Sequence, residues 1–105
     1  MVIKMKTLIF KKNFDLDFLS MIKTLRNHGE VKVILFQDAI YLALRNTKYS
    51  RAIEHAIEEG VKFHLLKKDG EKRGILLNLI SNIKLINYDQ FIDLLFHEDQ
   101  RVINL

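Results

Sequence analysis

Gln37 and Asp38 have the side chains and the position expected of a binding site. They directly follow the apolar run 33–36, which is typical of a buried strand, and they precede a short predicted helix, 39–44. Asp38 can contact a partner or substrate, or it can cap that helix by accepting from its free backbone N–H groups. Gln37 offers the same choice, although its neutral amide is a weaker cap. Tyr41, three residues after Asp38, can join such a contact or pack half-buried.

A second polar group lies in the charged segment 67–72, which we predict to be a loop around Gly70. Asp69 belongs to this segment and Arg73 directly follows it. The Arg73 guanidinium can bind a carboxylate or phosphate through two parallel hydrogen bonds, or it can be solvated beside the loop. Ligands of parallel sheets bind beyond the carboxyl ends of the strands, so we expect this loop to share an edge with Gln37 and Asp38.

The sequence offers little to support catalysis by this chain alone. None of its four histidines is four residues from another on a helix, and none has a cysteine or a paired carboxylate at metal-ligand spacing. They are His28, His55, His64 and His97. The chain has no cysteine, and therefore no thiolate nucleophile or thiolate metal ligand. Nucleophile-elbow, phosphate-loop and dinucleotide-binding motifs do not occur either, so we predict no catalytic residue, metal or cofactor.

Length and composition are those of one globular domain. The 105 residues suffice for a single core, and 49% hydrophobic with 29% charged residues is ordinary. The apolar runs are too short to cross a bilayer and no signal-peptide pattern occurs, so we expect a cytoplasmic protein. The net charge of +4 is uneven, with a basic first dozen residues and an acidic stretch over 85–105. Opposite charge at the two ends suits subunit docking.

Hydrophobic periodicity predicts strands that alternate with helices. The predicted strands are 2–10, 31–36, 61–66 and 83–86. We predict four helices. The first is opened by Asn13 and closed by Gly29, the second is the short helix 39–44, and the third covers 49–57 and is closed by Gly60. The fourth, 89–96, is capped by Asn87, and Tyr88 and Phe91 should pin it to the sheet. Residues 73–79 are a helix or an apolar connector. The segment 39–44 is apolar enough to form an oligomer interface or to pack on the sheet.

This alternation predicts the α/β class. Helical segments between strands imply parallel crossovers, with helices on both faces of the sheet. We therefore expect a single three-layer domain with a small, mostly parallel sheet of about four to five strands flanked by helices.

Three segments, in order, share a pattern with one known family. Residues 33–44 (VILFQDAIYLAL) match a hydrophobic strand, Gln-Asp-Gly and Val-Tyr-x-Ala-Leu, with Ala39 in place of the glycine. Residues 61–75 (VKFHLLKKDGEKRGI) match a strand, an aspartate and Arg-Gly, and residues 80–94 match an Ile-Ser to Asp-Leu ending. This pattern resembles the TusB/DsrH family of small sulfur-relay subunits in the DsrE-like superfamily. The resemblance covers about two thirds of the chain and implies one DsrE-like domain, residues 1–105.

The resemblance also implies a cytoplasmic subunit that assembles with TusC/TusD-like (DsrE/DsrF-like) subunits, one of which carries a reactive cysteine as a persulfide. Such complexes pass sulfur towards 2-thiouridine at the tRNA wobble position, or serve dissimilatory sulfur metabolism. A serine hydroxyl forms no S–S bond, so this chain cannot carry the sulfur. We predict a non-catalytic subunit of a homo- or hetero-oligomer that meets tRNA at most indirectly. Its expected partner or ligand contacts are Gln37, Asp38, Tyr41, Asp69 and Arg73.

The alternative is a homo-oligomeric small-ligand or RNA-binding module of the same fold without relay activity. Residues 1–12 carry four lysines and no acid, and a basic segment attracts nucleic acid through counterion release. These lysines are Lys4, Lys6, Lys11 and Lys12.

Overall fold

Every strand of the structure runs parallel to its neighbours. The computed structural model describes residues 5–96 and 100–105, whose five-stranded sheet has the order β4-β3-β2-β1-β5. The strands are β1 (Met5–Lys11), β2 (Gly29–Leu35), β3 (Lys62–Leu66), β4 (Lys84–Ile86) and β5 (Arg101–Asn104). The helices are α1 (Phe18–Arg26), α2 (Ser50–Glu58), α3 (Lys67–Lys72) and α4 (Tyr88–Leu95), with 3-10 helices at Gln37–Ala43 and Leu76–Asn78. The predicted α/β class with a parallel sheet is confirmed.

Helices cover the two faces of the sheet unequally. Side chains alternate along each strand, so Ile9, Val33 and Phe63 share what we call the first face, where α1, α2 and the first 3-10 helix complete the main core. The opposite, second face carries a smaller core of Leu8, Phe10, Ile34 and Ile86, covered by α4 through Phe91 and Leu94. Among the described residues, no helix is both long and apolar enough to cross a membrane.

The last helix begins where the sequence predicts. The side chain of Asn87 accepts from the backbone N–H of Gln90 at 2.8 Å. The side chain of Gln90 in turn accepts from the backbone N–H of Asn87 at 2.9 Å. Phe91 pins the helix to the sheet, with its ring 5.0 Å from that of Phe10. Tyr88 does not pin the helix, because it is 61% exposed and only stacks on Phe91.

The start of the first helix was predicted wrongly. Helix α1 begins at Phe18, and Asn13 lies in the preceding loop. The cause is Lys11, which is only 2% exposed and whose Nζ is 2.9 Å from Asp15 Oδ2. A buried ammonium needs an acceptor, so the loop bends to supply one instead of continuing as helix. Lys11 is therefore unavailable to the basic segment predicted over residues 1–12, of which residues 1–4, including Lys4, lie outside the described range.

Packing overturns one further prediction and decides one open alternative. Residues 67–72 form α3 and not a loop: Gly70 is buried, and a Cβ added there would lie 2.6 Å from Leu76 Cδ2. The glycine thus permits a close contact inside a helix, although glycine usually marks a loop. The segment 39–44 does not offer an exposed interface, since Ala39, Ile40, Leu42 and Ala43 are fully buried in the main core.

The C-terminal strand was not predicted. Residues 101–104 pair with β1 at the edge of the sheet, and the Leu105 N–H donates to the Phe10 carbonyl at 2.8 Å. Arg101 and Asn104 make this segment too polar and too short to be recognised as a strand from periodicity.

Gly29 does not close the first helix but opens β2, opposite Met5. Its φ is +153°, and a Cβ there would lie 1.8 Å from the Met5 carbonyl oxygen. We expect Gly29→Ala to lower the free energy of unfolding by about 2–4 kcal/mol, because β1 and β2 would have to separate. The control is Gly74→Ala, where φ is +66° but the space is open, and where about 1 kcal/mol is expected. Urea unfolding measures both, and equal losses would contradict the steric cause.

Candidate functional site

The structure places all five predicted contact residues at one edge of the sheet. Gln37, Asp38 and Tyr41 lie in the 3-10 helix that follows β2, while Asp69 lies in α3 and Arg73 ends it. Strands β2 and β3 are parallel neighbours, so their carboxyl ends meet at this edge. We call these five residues the edge cluster.

A carboxylate from α3 organises the start of the 3-10 helix. Asp69 Oδ2 accepts a hydrogen bond from the backbone N–H of Gln37 at 2.6 Å. Gln37 has a φ of +50°, a left-handed conformation that is uncommon for residues other than glycine and asparagine. Asp69 therefore binds the first N–H of this 3-10 helix. Asp38 accepts from Arg73 and from no helix N–H in the described part of the chain, so the capping interpretation of Asp38 is wrong.

Asp38 instead pairs with Arg73. Arg73 Nη2 lies 3.2 Å from Asp38 Oδ1, and the guanidinium carbon lies 5.9 Å from the centre of the Tyr41 ring. The Arg73 side chain is 28% exposed, so the arginine is held in place and not fully solvated, while the Asp38 side chain is 70% exposed. Tyr41 is half-buried against the main core. The cluster thus presents an accessible carboxylate beside a positioned cation.

This geometry is suited to recognition. An exposed carboxylate and an oriented guanidinium can exchange partners with charged groups of another molecule, and Arg binds such groups with defined geometry. Within residues 5–96 and 100–105, no cluster of three or more His, Asp or Glu side chains could hold a metal ion. The left-handed backbone at Gln37 was not foreseeable, since glutamine carries no signal for it.

The most perturbed titratable group lies away from the edge cluster. Burial lowers the pKa of His64 to about 4 from its ordinary value of 6.5, and the nearby charges of Lys32, Lys84 and Lys62 lower it further. His64 lies on the second face, in register with Ile34 and Lys84. Both ring nitrogens are shielded from solvent and have no hydrogen-bond partner within the described part of the chain. The imidazole is therefore neutral near pH 7.

Several solved structures share this fold. The chain matches a protein of unknown function from Methanobacterium thermoautotrophicum with a TM-score of 0.80 at 15% identity, covering 97% of this chain and 100% of the other. The ychN protein from E. coli gives a TM-score of 0.80 at 18% identity, covering 98% and 100%. A conserved protein of unknown function from Bacteroides thetaiotaomicron gives 0.79 at 14% identity, covering 95% and 94%. The fold is thus that of a known class of small parallel α/β proteins.

Sequence comparison identifies the family within that class. Residues 14–101 match the family described as DsrH like protein. Protein TusB from Buchnera aphidicola subsp. Baizongia pistaciae is 31% identical over 70 residues, which are 67% of this chain and 70% of that protein. The chain therefore belongs to the TusB/DsrH family, and the assignment made from the three segments is confirmed.

Loss of the Asp69 carboxylate should destabilise the edge cluster. We expect Asp69→Ala to cost about 1–2 kcal/mol of unfolding free energy, because the Gln37 N–H loses a charged acceptor. Asp69→Asn keeps an acceptor oxygen and should cost less. Asp38→Ala breaks an exposed ion pair and should cost below about 1 kcal/mol. Urea unfolding of the three variants tests this order; an Asp38→Ala loss larger than that of Asp69→Ala would contradict it.

Acid should destabilise the fold through His64. The unfolded chain binds a proton near pH 6.5 and the folded chain only near pH 4, so stability falls as the pH is lowered through this window. Because His64 is only half-buried, solvent screens part of this effect. We therefore expect the unfolding free energy to fall by about 1–2 kcal/mol, less than the full pKa shift would give. The His64→Phe variant should lack this acid-induced loss of stability. The His55→Gln variant, at an exposed position of α2, should keep it. Unfolding free energies between about pH 7 and about pH 4 measure the difference, and parallel profiles for wild type and His64→Phe would refute the assignment.

Proposed function

We propose that the chain is a non-catalytic subunit of a sulfur-relay complex and that its edge cluster docks onto a cysteine-bearing subunit of the same superfamily. The observation that carries this proposal is the family match over residues 14–101 in a chain without cysteine. A relay needs a thiolate to hold persulfide sulfur, and that thiolate must come from another subunit. The proposed partners are TusC/TusD-like (DsrE/DsrF-like) proteins in the cytoplasm.

The geometry of the edge cluster supports a docking role. Arg73 is positioned by Asp38 and Tyr41 and is partly exposed, which are the properties of arginines that dominate interfaces. Asp69 holds the backbone of Gln37 in one conformation, so a partner would meet a preorganised edge. The proposed end acceptor of the sulfur is the tRNA wobble uridine, to which the cysteine-bearing partners would pass it.

Co-expression with a cysteine-bearing DsrE-like subunit tests the proposal. Native mass spectrometry should detect a mixed oligomer. Arg73→Ala should weaken it at least tenfold, because truncating an arginine that is an interface hot spot costs about 2 kcal/mol or more. The matched control is Arg51→Ala on the exposed side of α2, which should leave assembly unchanged. Circular dichroism of each variant separates weakened docking from unfolding.

Two results would overturn the proposal. One is a failure of the wild-type chain to associate with any cysteine-bearing homologue encoded beside it. The other is a mixed oligomer that Arg51→Ala weakens and Arg73→Ala does not, which would move the interface away from the edge cluster. Unchanged 2-thiouridine in tRNA after deletion of the gene would refute the proposed acceptor alone.

A further inference from the structure

A row of lysines crosses the second face of the sheet, outside the area that α4 covers. The strand register puts Lys32 beside Lys62. On the next strand, Lys84 lies beside His64, two residues after Lys62. Lys6 lies on the same face of β1, opposite Glu30. Adjacent strands are about 4.8 Å apart, so one lysine on each of four neighbouring strands makes a continuous basic band. We call Lys6, Lys32, Lys62 and Lys84 the lysine row.

Acidic residues offset this row only in part. Glu30 is the one carboxylate among the described strand residues of the second face, and its Oε1 lies 3.0 Å from Lys62 Nζ and 3.8 Å from Lys32 Nζ. The hydrogen bond from Lys62 is the main cause of the lowered pKa of Glu30, so this carboxylate is ionised and shared between two lysines. Asp93 of α4 lines a neighbouring groove of about 230 Å³ together with Lys6 and Lys32. The strands still present a clear excess of positive charge.

The surface beside the row is concave. A groove of about 570 Å³ is lined by Lys32, Lys62, His64 and Lys84. Less polar residues complete its lining, namely Ile57, Gly60, Val61, Phe63, Asn82 and Ile83. His64 is neutral and hydrogen-bonds to nothing in the described chain, so it neither adds to nor cancels the charge of the groove. The lysine side chains keep access to solvent, with Lys62 60% and Lys32 33% exposed.

The chemistry of this surface favours phosphate over protein. Protein interfaces depend on apolar and aromatic anchors and are depleted in lysine at their centres. This surface instead carries one lysine on each of four neighbouring strands. Several cations on one surface suit a chain of phosphodiester charges, whose binding comes from counterion release. Contacts of this kind position a nucleic acid without reading its bases.

We propose that the lysine row binds the phosphodiester backbone of a nucleic acid, on the face of the sheet opposite the main helical layer. This surface shares only Lys6 with the N-terminal basic segment, whose Lys11 is buried and paired with Asp15. It is also distinct from the edge cluster at the carboxyl ends of β2 and β3, so binding there does not depend on docking of a sulfur-carrying subunit.

Fluorescence anisotropy with labelled single-stranded poly(U) tests the proposal on the full chain. The triple variant Lys32→Gln, Lys62→Gln, Lys84→Gln should bind about tenfold or more weakly at about 50 mM salt. Its salt dependence should fall by about 2 in the log–log slope, since each lost phosphate contact on a single strand contributes about 0.7. The matched control removes the same charge elsewhere, through Lys12→Gln, Lys23→Gln and Lys48→Gln, all exposed residues, and should bind within about twofold of wild type.

A second readout needs no variant. An anion in the groove opposes the repulsion from Lys32, Lys62 and Lys84, so saturating poly(U) should raise the pKa of His64 as followed by NMR of the imidazole. The carboxylates nearest the lysine row are Glu30 and Asp93. An unchanged His64 titration, together with equal losses in the two triple variants, would show diffuse charge attraction and overturn the proposal. So would absent binding by the wild type, or equal binding of poly-glutamate, which would identify a surface for acidic protein segments.

Discussion

The parallel direction of all five strands is the constraint on which the rest of the structure depends. Strands β1 to β4 follow one another across the sheet, and the chain then returns over three strands to place β5 beside β1. Crossovers between parallel strands are almost always right-handed, so three steps in one direction put their helices on one face. The single return step puts α4 on the other face, where it covers only part of the sheet.

Both proposed surfaces follow from that arrangement. Parallel strands bring the segments after β2 and β3 to one edge, where Asp69 can reach Gln37 and Arg73 can reach Asp38. The one helix on the second face leaves strand residues there in contact with solvent, and these positions carry lysine where the first face carries aliphatic side chains. The edge presents a few oriented groups, and the uncovered face presents several lysine side chains.

Much of this could be predicted because it depends on local patterns. The alternation of Val61, Phe63 and Leu65 with Lys62 and His64 indicates a strand with one buried side, and the structure has it. The position of Gln37 and Asp38 after a strand places them at a carboxyl edge in any parallel sheet. The hydrogen-bond partners of Gln37 and Asp38 could not be predicted. The bonds from Gln37 to Asp69 and from Arg73 to Asp38 join residues more than thirty positions apart.

The sequence by itself determined the α/β class, the order of most elements, the family and the lack of any thiol, since each depends on residue types and short spacings. Only the tertiary structure decided that Gly70 lies within a helix, that Lys11 is buried on Asp15 and that residues 101–104 complete the sheet. The physical reason is the same in each case. Local propensity is worth about 1 kcal/mol or less for most residues, and a close contact, a buried charge or a strand partner outweighs it.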